Sequence, residues 1–289
     1  MNRHHHARIL ATVMLTGLAA LALVNAPPSS AAEVDPPPTV VKPDEPTMPP
    51  PPGAIITTFA GNQLKYCALI CPHIIDFVVD VPVAIVRAPG VFATAQGQTG
   101  SADRATGIAA ASVTRPANSA MTGIIDNDLN LVLPRAQNAL EVAVVEGLTV
   151  ADTVRSGAAP EAVGKAIDTG RAKIVDALNA PIVAKPPQIA APTTPAQAAV
   201  LDAIDVGSAV LFQAPELLMV GATEAADIAA QHLATTGDTD GARSAGVAHF
   251  NDTLTAANDV IRQATTTHHV PETVSPESRT DTTTSASAD

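Results

Sequence analysis

The stretch that most constrains this chain runs from Cys71 to Ala95, C-P-H-I-I-D-F-V-V-D-V-P-V-A-I-V-R-A-P-G-V-F-A-T-A. Its few polar residues are not scattered. At 100° per residue, His73, Asp76, Asp80 and Arg87 fall within about 60° of one another. The other faces carry Ile, Val, Phe and Ala. A helix apolar over most of its circumference has to be covered on several sides. Each fully buried Ile, Val or Phe contributes roughly 1.5–3 kcal/mol, so docking would be strongly favoured. The expectation is that this segment is the most buried helix of the domain, kinked near Pro82, with only the polar seam reaching water.

What can pack around it is set by composition. The 289 residues include no Trp, one Tyr and five Phe, so a core must be made of Ala, Val, Leu and Ile. Such residues suit close helix-on-helix packing better than a β-sandwich. Helical spacing recurs in Val163, Ile167, Ile174 and Leu178, in Leu201, Ile204, Ser208 and Leu211, and in Val247, Phe250, Leu254, Ala257 and Ile261. No segment alternates apolar and polar residues long enough to demand a strand.

The predicted fold is therefore all-α: an irregular bundle of Pro-kinked, Ala-rich helices over residues 55–263. Interruptions are expected at Pro72, at Ala88-Pro89-Gly90 and over Gln96–Asp103. Short helices are expected at Arg104–Val113 and Ala117–Ile125, a stronger one from Asp126, and the last over about Arg243–Gln263. Thr149-Val-Ala-Asp152 and Thr194-Pro195-Ala196-Gln197 both match the start of a helix, the first as a capping box opening a short helix that ends at Gly157, the second with an N-cap Thr, Pro at the first helical position and Gln at the third. The Pro-rich stretch 185–195 marks a soft internal boundary.

The two ends have a different character. Met1–Arg8 carries two Arg and no acid, Ile9–Val24 is apolar, and Ser30-Ala31-Ala32 places small residues where a leader is cut. Residues 1–32 read as a secretory signal peptide. Residues 33–54 read as a Pro-rich disordered linker, with nine prolines between Asp35 and Gly53. Residues 264–289 read as a disordered Thr/Ser-rich tail. The formal net charge is −12, and losing Arg3 and Arg8 with the leader takes it to −14. Such a chain repels phosphate backbones, which argues against nucleic-acid partners.

Few residues suggest chemistry. Export would place Cys67 and Cys71, the only cysteines, where thiols pair. Their i,i+4 spacing is wide for a disulfide, and Pro72 beside them could close the gap, so a local bond, two buried thiols and a redox or metal role all stay open. His73, Asp76 and Asp80 share a face and could hold a cation, or simply form the polar seam with Arg87. Asp238-Thr239-Asp240-Gly241 fits a calcium loop poorly, because Thr236 and Val247 would fall where acids belong. It reads as a turn between helices. His268-His269 is at most a weak metal site. No familiar nucleophile, zinc, phosphate-loop or dinucleotide motif is present. No enzyme activity and no cofactor are therefore predicted.

Val81–Ala95 and Val206–Ala222 are apolar, but Arg87, Gln213 and Glu216 interrupt them, short of a constitutive membrane span. The reading is a secreted, non-enzymatic cell-envelope or extracellular protein acting through its surface on an envelope protein or lipid, with peripheral membrane contact. The alternatives are a helical carrier of lipid or other apolar molecules, in a cavity that so few aromatics leave unfilled, and a conditionally membrane-inserting protein. Leader, Pro-rich spacer, Ala-rich helices and Thr/Ser tail together resemble the exported alanine- and proline-rich envelope proteins of mycobacteria and related actinobacteria. The resemblance implies an envelope location and carries over no functional residue.

Overall fold

A computed structural model of the chain describes residues 49–51, 53–184 and 190–270. The expected signal peptide, most of the Pro-rich linker, the connector 185–189 and residues 271–289 of the expected tail lie outside the described residues, whereas residues 264–266, expected to open that tail, are the end of the last helix. What is described is all-α, without strands. The helices are α1 (Ala54–Thr99), α2 (Ala102–Asn127), α3 (Leu133–Arg155), α4 (Pro160–Asn179), α5 (Pro195–Ser208), α6 (Ala214–Thr236) and α7 (Thr239–Thr266). Two five-residue π turns, π1 (Asp128–Val132) and π2 (Ala209–Gln213), join α2 to α3 and α5 to α6. Each joined pair forms one continuous rod.

The rods are longer than the sequence suggests. Pro72, Pro82 and Pro89 all lie inside α1, and Pro116 lies inside α2. The breaks expected at Pro72, at 88–90 and between the two short helices are corrected accordingly. The expected loop 96–103 shrinks to Gly100 and Ser101. Gly100 takes φ 65 and closes α1 by donating its N–H to Gln96, while Ser101 caps α2.

Both π turns have a local cause. A proline interior to a helix collides with the carbonyl four residues back. Pro134 and Pro215 each stand two residues beyond a π turn, whose wider i→i+5 bonds (Leu133 to Asp128, Ala214 to Ala209) make room for the ring. Thr149 does not cap anything. It is inside α3, with its hydroxyl bonded back to the Val145 carbonyl. The second capping box is real: Thr194 and Gln197 bond each other's backbone reciprocally. α7 begins at Thr239 with Asp238 as its cap, so Thr239–Gly241 form its first turn, four residues before the expected start.

α1 packs chiefly on α2, α2 on α6, and α6 on α7; α4 packs on α3 beside the start of α1. Helices α2 and α6 thus pack together across the soft boundary at 185–195. Most of the buried apolar residues are alanines, among them Ala105, Ala120, Ala177, Ala225 and Ala230. Small side chains let backbones approach. At Gly107 of α2 a Cβ would run into the backbone of Leu233 and Ala234 in α6, and at Gly123 it would run into the His73 ring of α1.

One polar node pins α1 to the rest. Arg135 of α3 is 2% exposed; its Nη2 donates to the Leu178 carbonyl at 2.5 Å and to Asn62 Oδ1 at 3.3 Å. Asn62 Nδ2 donates to the same carbonyl at 2.6 Å. Leu178 belongs to the last turn of α4, where carbonyls lack helical partners and the helix dipole favours a cation. The guanidinium also stands 5.5 Å from the centre of the Tyr66 ring.

Candidate functional site

The feature that sets this molecule apart is what α1 leaves uncovered. Only Asn62, Tyr66 and Ala95 are buried among its 46 residues. The half-buried positions Phe77, Val81, Ala84, Ala88 and Val91 continue the same line, at steps of three and four. At its start Asn62 and Tyr66 meet Arg135 of α3 and the end of α4, and the rest of the seam faces α2. Ile56, Leu64, Ile74, Ile75, Val78, Val79, Ile85, Val86 and Phe92 are exposed, Val86 by 80% and Leu64 by 76%. The expectation that Cys71–Ala95 is the most buried helix is therefore wrong. The apolar circumference exists, but its partners within the described chain cover one strip only.

The geometry of the outer face is regular. At 100° per residue, those nine exposed residues span about 140°, opposite the α2 contact. Between Leu64 and Ala93 this arc holds no charged or amide side chain. Cys67, Cys71, Pro82 and Pro89 also fall on it. Asp76, Asp80 and Arg87 are exposed and sit along one border of the α2 seam. His73 is half-buried against Gly123, with its Nδ1 4.0 Å from Asp76. The polar seam thus divides the packed strip from the bare one.

The other residues singled out in the sequence fall as follows. Cys67 and Cys71 form a disulfide with Cα atoms 5.0 Å apart, within one turn of α1. Among the described residues, no three His, Cys, Asp or Glu side chains are placed to hold a metal ion, His73, Asp76 and Asp80 included. His268 and His269 are docked on α5 through Asp202 and Asp205. Glu216 contacts Asp128 of π1. Burial pushes its carboxyl up to about 8, and its hydrogen bond and charge interaction with Asp128 act in the same direction. Clefts of about 360–390 Å³ lie at three places in the bundle.

Sequence reasoning did not find the Arg135–Asn62–Leu178 node, since its partners are 43 to 116 residues apart and no periodicity joins them. Nor did it pair Glu216 with Asp128. The one available signal was Glu216 standing as a lone acid within an apolar run.

By length and composition, α1 and the Pro195–Thr236 rod are each apolar enough to cross a membrane. They differ in burial. None of the most apolar 18-residue window of α1 is buried, against 17% for the rod, which α2 and α7 flank. Comparison with protein-family models, with characterised proteins and with solved structures finds no match to this chain.

Proposed function

We propose that the protein is an exported, non-enzymatic envelope protein that acts at a lipid surface, with the outer face of α1 as its contact. The observation that carries this is the bare apolar arc from Leu64 to Phe92. The leader and the Pro-rich spacer support export. An exposed apolar face of this extent marks an interaction site rather than ordinary surface.

Length and packing favour lying on a lipid layer over spanning it. A helix of 46 residues is about 70 Å long, more than twice a hydrocarbon core of about 30 Å. α1 is also held to α2, which would have to enter with Asp103, Arg104, Arg115 and Asp126. A helix lying in the interface needs only one apolar arc and a polar border, which is the arrangement found. Covering half-exposed Ile, Val, Leu and Phe along the arc yields on the order of 10 kcal/mol before the cost of immobilisation. The chain is acidic, so attraction to anionic headgroups contributes nothing. Binding should be apolar in origin and insensitive to salt.

The test is flotation of the processed chain, from Glu33, with phosphatidylcholine vesicles at low and high salt. The protein is expected to float at both. Val79→Asp/Val86→Asp should stay at the bottom while keeping its circular dichroism spectrum. A wild-type chain that does not float, or a double variant that floats equally well, overturns the proposal.

A further inference from the structure

The last described residues fold back on the bundle. α7 ends at Thr266, and Thr267 turns to extended backbone. His268 Nδ1 then lies 3.2 Å from Asp202 Oδ2, and His269 Nε2 lies 2.9 Å from Asp205 Oδ2. The His269 backbone N–H donates to Asp202 Oδ1 at 2.8 Å. Asp202 and Asp205 are three apart on α5 and share a face. Asp205 also accepts from Gln137 Nε2 of α3 at 2.5 Å, and Gln137 donates to Glu141 at 2.9 Å. The strap, α5 and α3 are thus tied through carboxylates. Thr267 and His269 form one wall of a cleft of about 360 Å³, whose other walls include Leu129 of π1 and Gln213 of π2.

We propose that the His268–His269 strap is a proton-operated clasp: protonated, it fixes the end of α7 to α5 and closes the cleft between the π turns, and on losing its protons it lets both go.

The chemistry follows from what faces the two rings. Asp202 and Asp205 face them from α5, Glu141 stands behind Gln137 on α3, and among the described residues no Lys or Arg lines the cleft. A protonated imidazole beside a carboxylate makes a charge-assisted hydrogen bond; a neutral one keeps a single N–H donor, and only in one tautomer. Imidazole is the side chain that ordinarily changes charge between pH 5 and 8. The hydrogen bond from the His269 N–H, with the nearby imidazoles, holds the Asp202 carboxyl below its ordinary range against the opposing effect of burial, so it stays ionised throughout that window. The charge-assisted pairs hold the clasp closed while the rings carry their protons, and the weaker neutral contacts let it open.

The clasp is independent of the lipid-surface reading and is tested without lipid. Nitroxide labels on Val200→Cys of α5 and Val270→Cys of the strap, in the otherwise intact chain, report their separation by double electron–electron resonance at pH 5.5 and pH 8. A single short distance is expected in acid, with the closed-to-open ratio falling about tenfold at pH 8, the effect of two partly exposed ion pairs. Adding His268→Gln/His269→Gln should abolish the pH response, and Asp202→Asn/Asp205→Asn should leave the strap open at both pH values. The same distribution at both pH values in the labelled parent, or a pH response that survives in either double variant, overturns the clasp.

Discussion

Two aspartates placed nine residues apart on α1 test the division between its packed and bare faces. Ala95 is 3% exposed on the α2 seam, and Val86 is 80% exposed on the outer arc. Val86→Asp removes only the small buried fraction of one side chain, about 0.5 kcal/mol at the usual worth of a valine. Val and Asp have similar helix propensities, so the backbone adds little. Ala95→Asp brings a carboxylate and extra volume into a contact built for a methyl group. Overpacking costs about 1–3 kcal/mol and an unpaired buried charge several more. With about 2–4 °C of melting temperature per kcal/mol in a domain this size, Val86→Asp should melt within about 2 °C of wild type and Ala95→Asp more than 10 °C lower. Thermal denaturation followed at 222 nm, without lipid, makes the comparison. The reasoning is refuted by a Val86→Asp loss comparable to that of Ala95→Asp, which would mean that the outer arc is already covered in solution by another copy of the chain. Ile85→Asp, severe if the helix were buried all round, belongs with the mild class, because Ile85 is 43% exposed.

Three further outcomes follow from the geometry. Arg135→Ala orphans the Asn62 carbonyl oxygen and weakens the α4 terminus, with an expected cost of about 3 kcal/mol in urea denaturation; Arg135→Met, which fills the space and removes a charge whose Nε and Nη1 are buried without partners, should cost less than half of that. Cys67→Ser/Cys71→Ser opens a five-residue loop and should lower stability by at most about 2 kcal/mol with helicity unchanged, as should adding reductant to wild type. Glu216, with its carboxyl raised from 4.5 to about 8, binds a proton in the folded chain that the unfolded chain releases. Its contribution is therefore full below about pH 4.5 and declines toward pH 8, and Glu216→Gln should flatten that part of the stability profile.

The helical class was legible because Val163, Ile167, Ile174 and Leu178 repeat at a period no strand can satisfy. So was the Thr194–Gln197 cap, which is local and involves adjacent residues. The lengths of the rods were not. A proline penalises its own turn by about 3 kcal/mol, and local reasoning ends the helix there. In α1 and α2 the turns on either side of Pro72, Pro82, Pro89 and Pro116 have their own contacts, and the helix continues through the penalty. The buried face of α1 was hidden for the opposite reason. Ile, Val and Ala occur all round, so the pattern along α1 cannot choose between Phe77 and Val78. The choice is made by the partner, where Gly123 accommodates His73. The i,i+4 cysteines left two outcomes open, and the folded turn brings their Cα atoms to a bonding separation.

The prolines of α1 carry a consequence for the depth at which it would meet lipid. Pro82 and Pro89 are both exposed on the outer arc. Neither has an N–H, so the carbonyls four residues back, at Val78 and Ile85, lose their helical donors on the bare face. Inside hydrocarbon each such group costs several kcal/mol, whereas at the headgroup boundary water satisfies it. Apolar side chains around carbonyls deprived of a helical donor therefore suit the interface and resist deeper burial. Restoring the donors with Pro82→Ala/Pro89→Ala should raise stability in solution, up to about 3 kcal/mol per proline. It should also carry α1 deeper into the bilayer. A reporter Val86→Trp, the only Trp in the chain, gives the depth through quenching by lipids brominated at successive acyl positions. The strongest quenching should move toward the bilayer centre in the double variant. If it stays at the same acyl position while the stability gain is present, the prolines do not set the depth, and the shallow placement of α1 must come from its hold on α2.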